Sequence, residues 1–234
     1  MVVGLSLFAM MCIGSVPLFT IFWLVLPTSH RQRLVRSSIS HGFRVYLFVL
    51  RSICSIDCDG RELDALKKDG PLIVVANHPS LLDIVILMSR IPNATCIMKS
   101  ALLSNPLYAV GSRMAGYVSN ASAEQMLGSS RAELARGSHF VFFPEGGRSR
   151  AFPVSPFSGS CILLSRLTKT PIQTVFLDYS SPYLGKHWGL FARPALPLRV
   201  HARMGKRIAP AELQSDARNK LEDYFRSGVR TDWL

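Results

Sequence analysis

Leu72-Ile73-Val74-Val75-Ala76 is a short apolar run, rich in β-branched residues, that reads as a buried strand. It passes directly into the polar heptapeptide Asn77-His78-Pro79-Ser80-Leu81-Leu82-Asp83 and then into Ile84-Val85-Ile86-Leu87-Met88, the apolar face of a helix. Alternation of this kind continues down the chain. Further strands are expected at 94–98, 139–143, 172–177 and 197–203, and helices at 80–90, 105–115, 121–136, 159–168 and 210–226. The last of these is an amphipathic closing helix behind Pro210. Strands joined through helices form a sheet covered on its faces, so the fold class is α/β, with a mixed, largely parallel sheet flanked by helices. In such folds chemistry gathers at strand-to-helix turns, where the heptapeptide lies.

Within that turn, His78 and Asp83 are five residues apart and would not share a helical face. Pro79 suits the first turn of a helix, so His78 is expected on the loop ahead of it and Asp83 in its opening turn. The imidazole can then fold back onto the carboxylate, which fixes its tautomer and makes it a general base. A second reading stands beside this one, because Ser80-x-x-Asp83 is also a capping box.

Residues 2–27 contain no charged side chain, long enough as a helix to cross a bilayer core. No basic segment precedes them, which argues against a cleaved signal peptide, so membrane attachment is expected. Pro17 predicts a kink, and both a spanning helix and a helix pair dipping into one leaflet remain open. Arg31, Arg33, Arg36, Arg44 and Arg51 follow, with no acidic residue before Asp57. That bias places the flank on the cytoplasmic side of the membrane, near anionic headgroups. Phe43, Val45, Tyr46, Leu47, Val49 and Leu50 interleave with the arginines, as in a helix at an interface or in one packed on the domain. The expected division is 1–56 for membrane-anchoring helices and 57–234 for a catalytic domain.

With 27 Lys and Arg against 15 Asp and Glu, a net charge of +12 calls for an anionic partner. No RNP, zinc-finger or helix-turn-helix signature accompanies the charge, so nucleic acid is ranked below lipid. Cys54-x-x-x-Cys58 lacks a second ligand pair, and the five cysteines read as buried reduced thiols rather than a metal site. No Gly-x-Ser-x-Gly elbow occurs, which argues against a serine lipase.

A second polar break follows the expected strand His139-Phe140-Val141-Phe142-Phe143. In Pro144-Glu145-Gly146-Gly147-Arg148-Ser149-Arg150 the glycines let backbone amides approach an anion, and the arginines offer planar forks for phosphate or carboxylate. The pair of motifs, Asn77-His78-x-x-x-x-Asp83 and Phe143-Pro144-Glu145-Gly146-Gly147-Arg148-Ser149, closely resembles the glycerolipid acyltransferase family, whose bacterial prototypes acylate lysophosphatidic acid. Lys99-Ser100-Ala101-Leu102 with Pro106, Gly111 and Gly116 resembles that family's second motif. Phe157-Ser158-Gly159 and Thr170-Pro171-Ile172 resemble its later landmarks.

The resemblance implies that His78 deprotonates an acceptor hydroxyl and that Asp83 orients and charge-stabilises the imidazole. It implies a substrate-binding role for Asn77, Lys99, Glu145, Gly146, Gly147 and Arg148, with Lys99 and Arg148 facing an anionic headgroup. Neither a metal nor a bound cofactor is implied; acyl-ACP (acyl-carrier protein) or acyl-CoA is the co-substrate, and the acceptor is a lysolipid drawn from the membrane. Gly147 stands where the family commonly has Thr, Thr174 stands for a usual Pro, and no Arg follows Gly116 before residue 126. The last departure admits a non-phosphate acceptor, such as lyso-ornithine lipid, beside lysophosphatidic acid. A non-catalytic lipid-binding protein is the rival from another class.

Overall fold

The computed structural model describes residues 2–230 except 104, 190 and 191, with the side chains at 2, 28, 29 and 106–108 set aside. The Pro106 side chain of the second motif and the last residues of the 57–234 unit therefore lie outside the described residues.

Two long helices come first, α1 (Val2–Val25) and α2 (Thr28–Cys54). α1 is one helix with Pro17 inside it. The hairpin turns instead at Pro27, in extended backbone with ψ of 147°, because the residue before a proline is disfavoured in the helical region. β1 (Ile56–Asp59) and a 3-10 helix (Arg61–Lys68) lead into β2 (Ile73–Ala76), α3 (Asp83–Arg90) and β3 (Ala94–Met98). Then come α4 (Ser100–Leu103), α5 (Pro106–Met114), β4 (Val118–Ser119), α6 (Ala123–Ala135), β5 (His139–Phe142) and α7 (Ser160–Thr168). β6 (Ile172–Tyr179), β7 (Leu198–Ile208), a 3-10 turn (Pro210–Glu212) and α8 (Ala217–Gly228) close the described chain.

The seven strands form one sheet in the order β1-β7-β6-β2-β5-β3-β4. From β6 to β4 all neighbours are parallel; β7 is antiparallel to β6, and β1 is parallel to β7. This is the mixed, largely parallel α/β sheet expected. β2 explains why the central strands are apolar without alternation. Its Val74 and Ala76 enter one core with α2 and α3, through Leu50, Val85 and Leu87, while Ile73 and Val75 enter the other with α7 and α8, through Leu164, Leu221 and Phe225.

Two expected elements differ. Strand 197–203 extends to Ile208, and the helix expected over 210–226 is broken between Glu212 and Ala217. Arg166 causes the break: its guanidinium donates to the carbonyls of Leu213 (2.6 and 3.0 Å) and Gln214 (2.6 Å), which a continuous helix would need for its own ladder.

α2 is packed on the sheet. Arg36, expected to face headgroups, is only 4% exposed. It donates to the Ala115 carbonyl (2.6 Å), the Ser138 hydroxyl (2.5 Å) and the Glu133 carboxylate (2.5 Å). An arginine on the inward face of the helix meets the carbonyl that follows α5, a carboxylate of α6 and the hydroxyl ahead of β5, and those acceptors decide its direction. Arg44 behaves similarly, donating Nε to the Ser89 carbonyl at 2.8 Å.

Candidate active site

The turn after β2 is held before any chemistry is considered. Asn77 is buried, and its amide imitates a strand residue: Nδ2 donates to the Leu177 carbonyl (3.0 Å), and Oδ1 accepts from the Leu177 N–H (2.8 Å). Both ends of the amide are turned onto β6, so Asn77 holds the turn after β2 against its neighbouring strand.

His78 is fixed on several sides. Its N–H donates to Glu145 Oε1 (2.8 Å), its carbonyl accepts from the Ser149 N–H (2.7 Å), and its ring stacks on Phe143 at 4.0 Å and 16°. Nδ1 lies 2.8 Å from Asp83 Oδ2, with the imidazole 14% exposed and the carboxylate fully buried. Among the described residues Nε2 takes no hydrogen-bond partner, and it is the nitrogen left for a substrate.

Asp83 opens α3, while Pro79 sits in the bend ahead of the helix rather than in its first turn. The two readings of this turn coexist. Asp83 Oδ2 accepts both from His78 and from the Ser80 N–H (2.8 Å), so one carboxylate closes half of a capping box and orients the imidazole. The other half is missing, because the Ser80 hydroxyl accepts from the Leu82 N–H (3.1 Å) instead. Asp83 Oδ1 accepts from the Tyr179 hydroxyl at the end of β6. Burial pushes Asp83 above the usual carboxylate range, against the opposing pull of His78, Tyr179 and Ser80. Burial and the adjacent charge of Asp83 hold Tyr179 well above its ordinary value, so it stays a neutral donor.

The second motif is bound to the first through Glu145. Its Oε1 accepts from the His78 N–H and the Ser149 hydroxyl (2.9 Å), and its Oε2 from the Ser155 N–H (2.7 Å). Glu145 is the rivet between the two loops, which accounts for a carboxylate beside the His78–Asp83 pair. Gly146 adopts φ of +68°, the conformation the tight turn after Phe143 requires. Nothing lies within 4 Å of where a Cβ on Gly146 or Gly147 would sit, so this backbone faces open space. Arg148 donates Nη1 to the carbonyls of Leu184 (2.9 Å) and Gly185 (2.8 Å), and so braces a third loop as well as presenting its charge. Lys99 is exposed at the end of β3. His78, Lys99, Glu145, Arg148 and Tyr179 all follow or end strands of the parallel set, at one edge of the sheet. Of the later landmarks, Phe157 is buried in the second core and Ile172 begins β6.

Beside the turn lies an apolar cavity of about 840 Å³. Leu81, Leu82 and Val85 of the heptapeptide and α3 line one side, Met98 and Tyr117 another, and Phe8, Met11 and Phe19 of α1 with Phe43 of α2 the far wall. The size suits one long hydrocarbon chain or a molecule of similar bulk. The described residues bring no group of three His, Cys, Asp or Glu side chains into metal-holding range, and all five cysteines carry free thiols.

The family described as Acyltransferase matches residues 57–178, just over half of the chain. The chain is 28% identical to a 1-acyl-sn-glycerol-3-phosphate acyltransferase of Cocos nucifera, over an alignment of 228 residues that spans 91% of this chain and 69% of that protein. It superposes with a TM-score of 0.65 on the crystal structure of PlsC, a 1-acyl-sn-glycerophosphate (LPA) acyltransferase from Thermotoga maritima. That comparison covers 96% of this chain and 94% of the other at 22% identity, and shows a shared fold.

Proposed function

The chain belongs to the acyltransferase family and is an enzyme, and on that premise we propose that it moves a fatty acyl group from acyl-ACP or acyl-CoA to the hydroxyl of a lysolipid, with 1-acylglycerol-3-phosphate as the acceptor. One observation carries the reading: the turn that holds the His78–Asp83 pair also contributes Leu81 and Leu82 to the wall of the apolar cavity. The acyl chain occupies that cavity, and its thioester carbonyl comes to rest beside Nε2.

His78 Nε2 takes the proton of the acceptor hydroxyl as its oxygen forms a bond to the thioester carbon. The carbonyl electron pair moves onto oxygen. When it returns, the carbon–sulfur bond breaks, and the leaving thiolate takes the proton from the imidazolium. Ester and free thiol are the products, without an acyl-enzyme and without a bound cofactor. A positioned base contributes roughly 10²–10⁴-fold to such a step. Asp83 supplies the negative charge that stabilises the imidazolium, and Tyr179 is a positioning residue that keeps the carboxylate in place. Lys99 and Arg148 face the acceptor's anionic headgroup, and the open backbone at Gly146 and Gly147 leaves room for it.

The enzyme works on the cytoplasmic face of a bacterial-type inner membrane. α1 is long and apolar enough to cross a bilayer, and its outer face exposes Met10, Ile13, Ile21, Trp23 and Leu24. It nevertheless packs against the protein from end to end: Gly4 lies against Leu50 and Tyr46, Met11 against Gly42, and Phe19 against Gly111. That favours a helix lying in one leaflet over one that leaves the domain to cross both.

The test is acyl transfer from labelled palmitoyl-ACP and palmitoyl-CoA to lysophosphatidic acid and to lyso-ornithine lipid, with wild type beside His78→Ala. The expected result is phosphatidic acid formed only by the wild type. Product from lyso-ornithine lipid alone would move the acceptor, and no product from either donor would end the enzymatic reading.

A further inference from the structure

α1 and α5 approach each other at Gly111, where a Cβ would lie 3.1 Å from the Phe19 ring, closer than a side chain comfortably allows. Beside this contact the two helices leave a groove of about 310 Å³, at the small end of the range for ligand sites. Thr20 and Trp23 of α1 form one bank, and Ala109, Val110, Arg113 and Met114 of α5 form the other. Spacings of three and four residues keep each set on one helix face.

The groove is continuous with the apolar outer face of α1. Trp23, Leu24 and Val25 are exposed side by side there, and Trp23 belongs to the groove as well. A tryptophan has an apolar body and one N–H donor, which suits the level where lipid chains meet their headgroups. Across from it, Arg113 is exposed in the last turn of α5. Its Nη2 donates to the Leu103 carbonyl (3.2 Å), and the rest of its planar fork is left for another acceptor. Among the described residues no ion pair includes it. A second guanidinium stands at the same end of α1, where Arg31 Nη1 donates to the Trp23 carbonyl (3.2 Å).

An apolar floor under a cationic lip matches a molecule with a hydrocarbon chain below and a phosphate above. The chain leaves water along Val110 and Met114, and the phosphate oxygens meet the fork of Arg113. A soluble anion would gain only the second of these contacts, and an uncharged apolar ligand only the first.

We propose that this groove is a binding site for an anionic phospholipid of the bilayer, its phosphate on Arg113 and the upper part of one chain between α1 and α5. The site lies outside the acyl cavity, yet Val110 lines both. A lipid in the groove therefore backs, from outside, a wall that the cavity has within. The proposal rests on α1 meeting the bilayer and not on acyl transfer.

The experiment uses the full chain carrying Trp188→Phe and Trp233→Phe, so that Trp23 is the one emitter, in phosphatidylcholine vesicles. Its fluorescence is quenched by rising mole fractions of dibrominated phosphatidylglycerol, and in a parallel series by dibrominated phosphatidylcholine. Half-quenching is expected at a mole fraction on the order of tenfold lower for phosphatidylglycerol, the worth of one charge-assisted contact. Arg113→Ala should bring the two curves together, and Arg113→Lys should keep part of the gap. Thr20→Phe fills the groove without changing its charge and should also close the gap. Coincident curves in the parent protein would overturn the site, as would a preference that survives Arg113→Ala. A preference lost in Arg113→Ala but kept in Thr20→Phe would mean diffuse surface charge, and would overturn it too. Native mass spectrometry of the unsubstituted chain and of Arg113→Ala gives a reading that does not need the tryptophan changes. One phosphatidylglycerol retained by the first and lost from the second is expected, and equal retention would sink the proposal. No turnover is read in either measurement, so the outcome is independent of the acyl-transfer reaction.

Discussion

Tyr179 donates its hydroxyl to Oδ1 of Asp83, the carboxylate oxygen that His78 does not use. The two residues come from different strand ends, and their bond fixes the carboxylate plane from the side opposite the imidazole. Removing a donor from a charged, buried acceptor costs about 1.5–3 kcal/mol. Tyr179→Phe is therefore expected to lower kcat roughly 10- to 100-fold if the loss falls on proton transfer. The ring is kept, so KM for both substrates should change much less than kcat. A loss that falls on KM alone, with kcat unchanged, would reduce Tyr179 to a packing role.

Asp83 makes stability depend on pH in a defined direction. Burial raises its folded-state pKa, so the folded protein holds this proton more tightly than the unfolded chain does. The stability that the group contributes is complete below the unfolded value of about 3.9 and is lost as pH rises through the raised folded value. Asp83→Asn does not titrate. The melting temperature of the variant minus that of wild type should grow more positive from about pH 4 to pH 8. A flat or falling difference in a thermal-shift series would contradict the assignment.

Arg36 and Glu133 form a buried ion pair with side chains 3% and 5% exposed. Truncating one partner leaves the other charged and dry, so Arg36→Ala should destabilise the protein by about 3–5 kcal/mol, read in chemical denaturation. The double change Arg36→Met with Glu133→Leu removes both charges and should recover a large part of that loss. If the double variant is no more stable than Arg36→Ala, the pair is not the source of the effect.

The two adjacent glycines of the second motif should separate cleanly. Gly146→Ala forces a side chain into φ of +68° and should cost about 1–2 kcal/mol, with activity falling as the loop shifts. Gly147→Ala enters open space at an ordinary φ and should change stability by less than about 0.5 kcal/mol. Equal melting temperatures for the two variants would refute the local geometry.

Met98 lines the cavity beside β4. Met98→Trp shortens the space open to a hydrocarbon, and each methylene excluded is worth about 1–3 kcal/mol, so the lauroyl-to-stearoyl preference in kcat/KM should rise on the order of tenfold. A proportionate loss on both donors would place the acyl chain elsewhere.

The parallel sheet was legible because its central strands are buried on both faces and read as continuous apolar runs. β1 and β4 were not, since strands of four and two residues at the sheet's edges carry too little pattern. The His78–Asp83 pair was legible because a proline and a five-residue spacing leave few geometries. Tyr179 was not, because nothing local distinguishes a tyrosine ending a buried strand, and its partner lies 96 residues away. The same limit applies to Glu145 and Asn77: composition marks them as polar residues at a site, but only the packed fold shows that they bind the backbone. Sequence alone ranks Arg36 with four other arginines near headgroups, and only the packed fold shows that its face of α2 meets α6 and the turns after α5 and ahead of β5.

The far wall of the cavity is made of α1 and α2, and the outer face of α1 is apolar. On the proposed function, anchor and active site share a single layer of side chains, so the protein would not divide into a soluble catalyst and a detachable tether. Cutting away the first helix would open the reaction chamber itself, so truncation alleles should behave as nulls rather than as mislocalised enzymes. In the proposed reaction, an acyl chain held in the cavity would be separated from the surroundings of α1 by the thickness of that one helix.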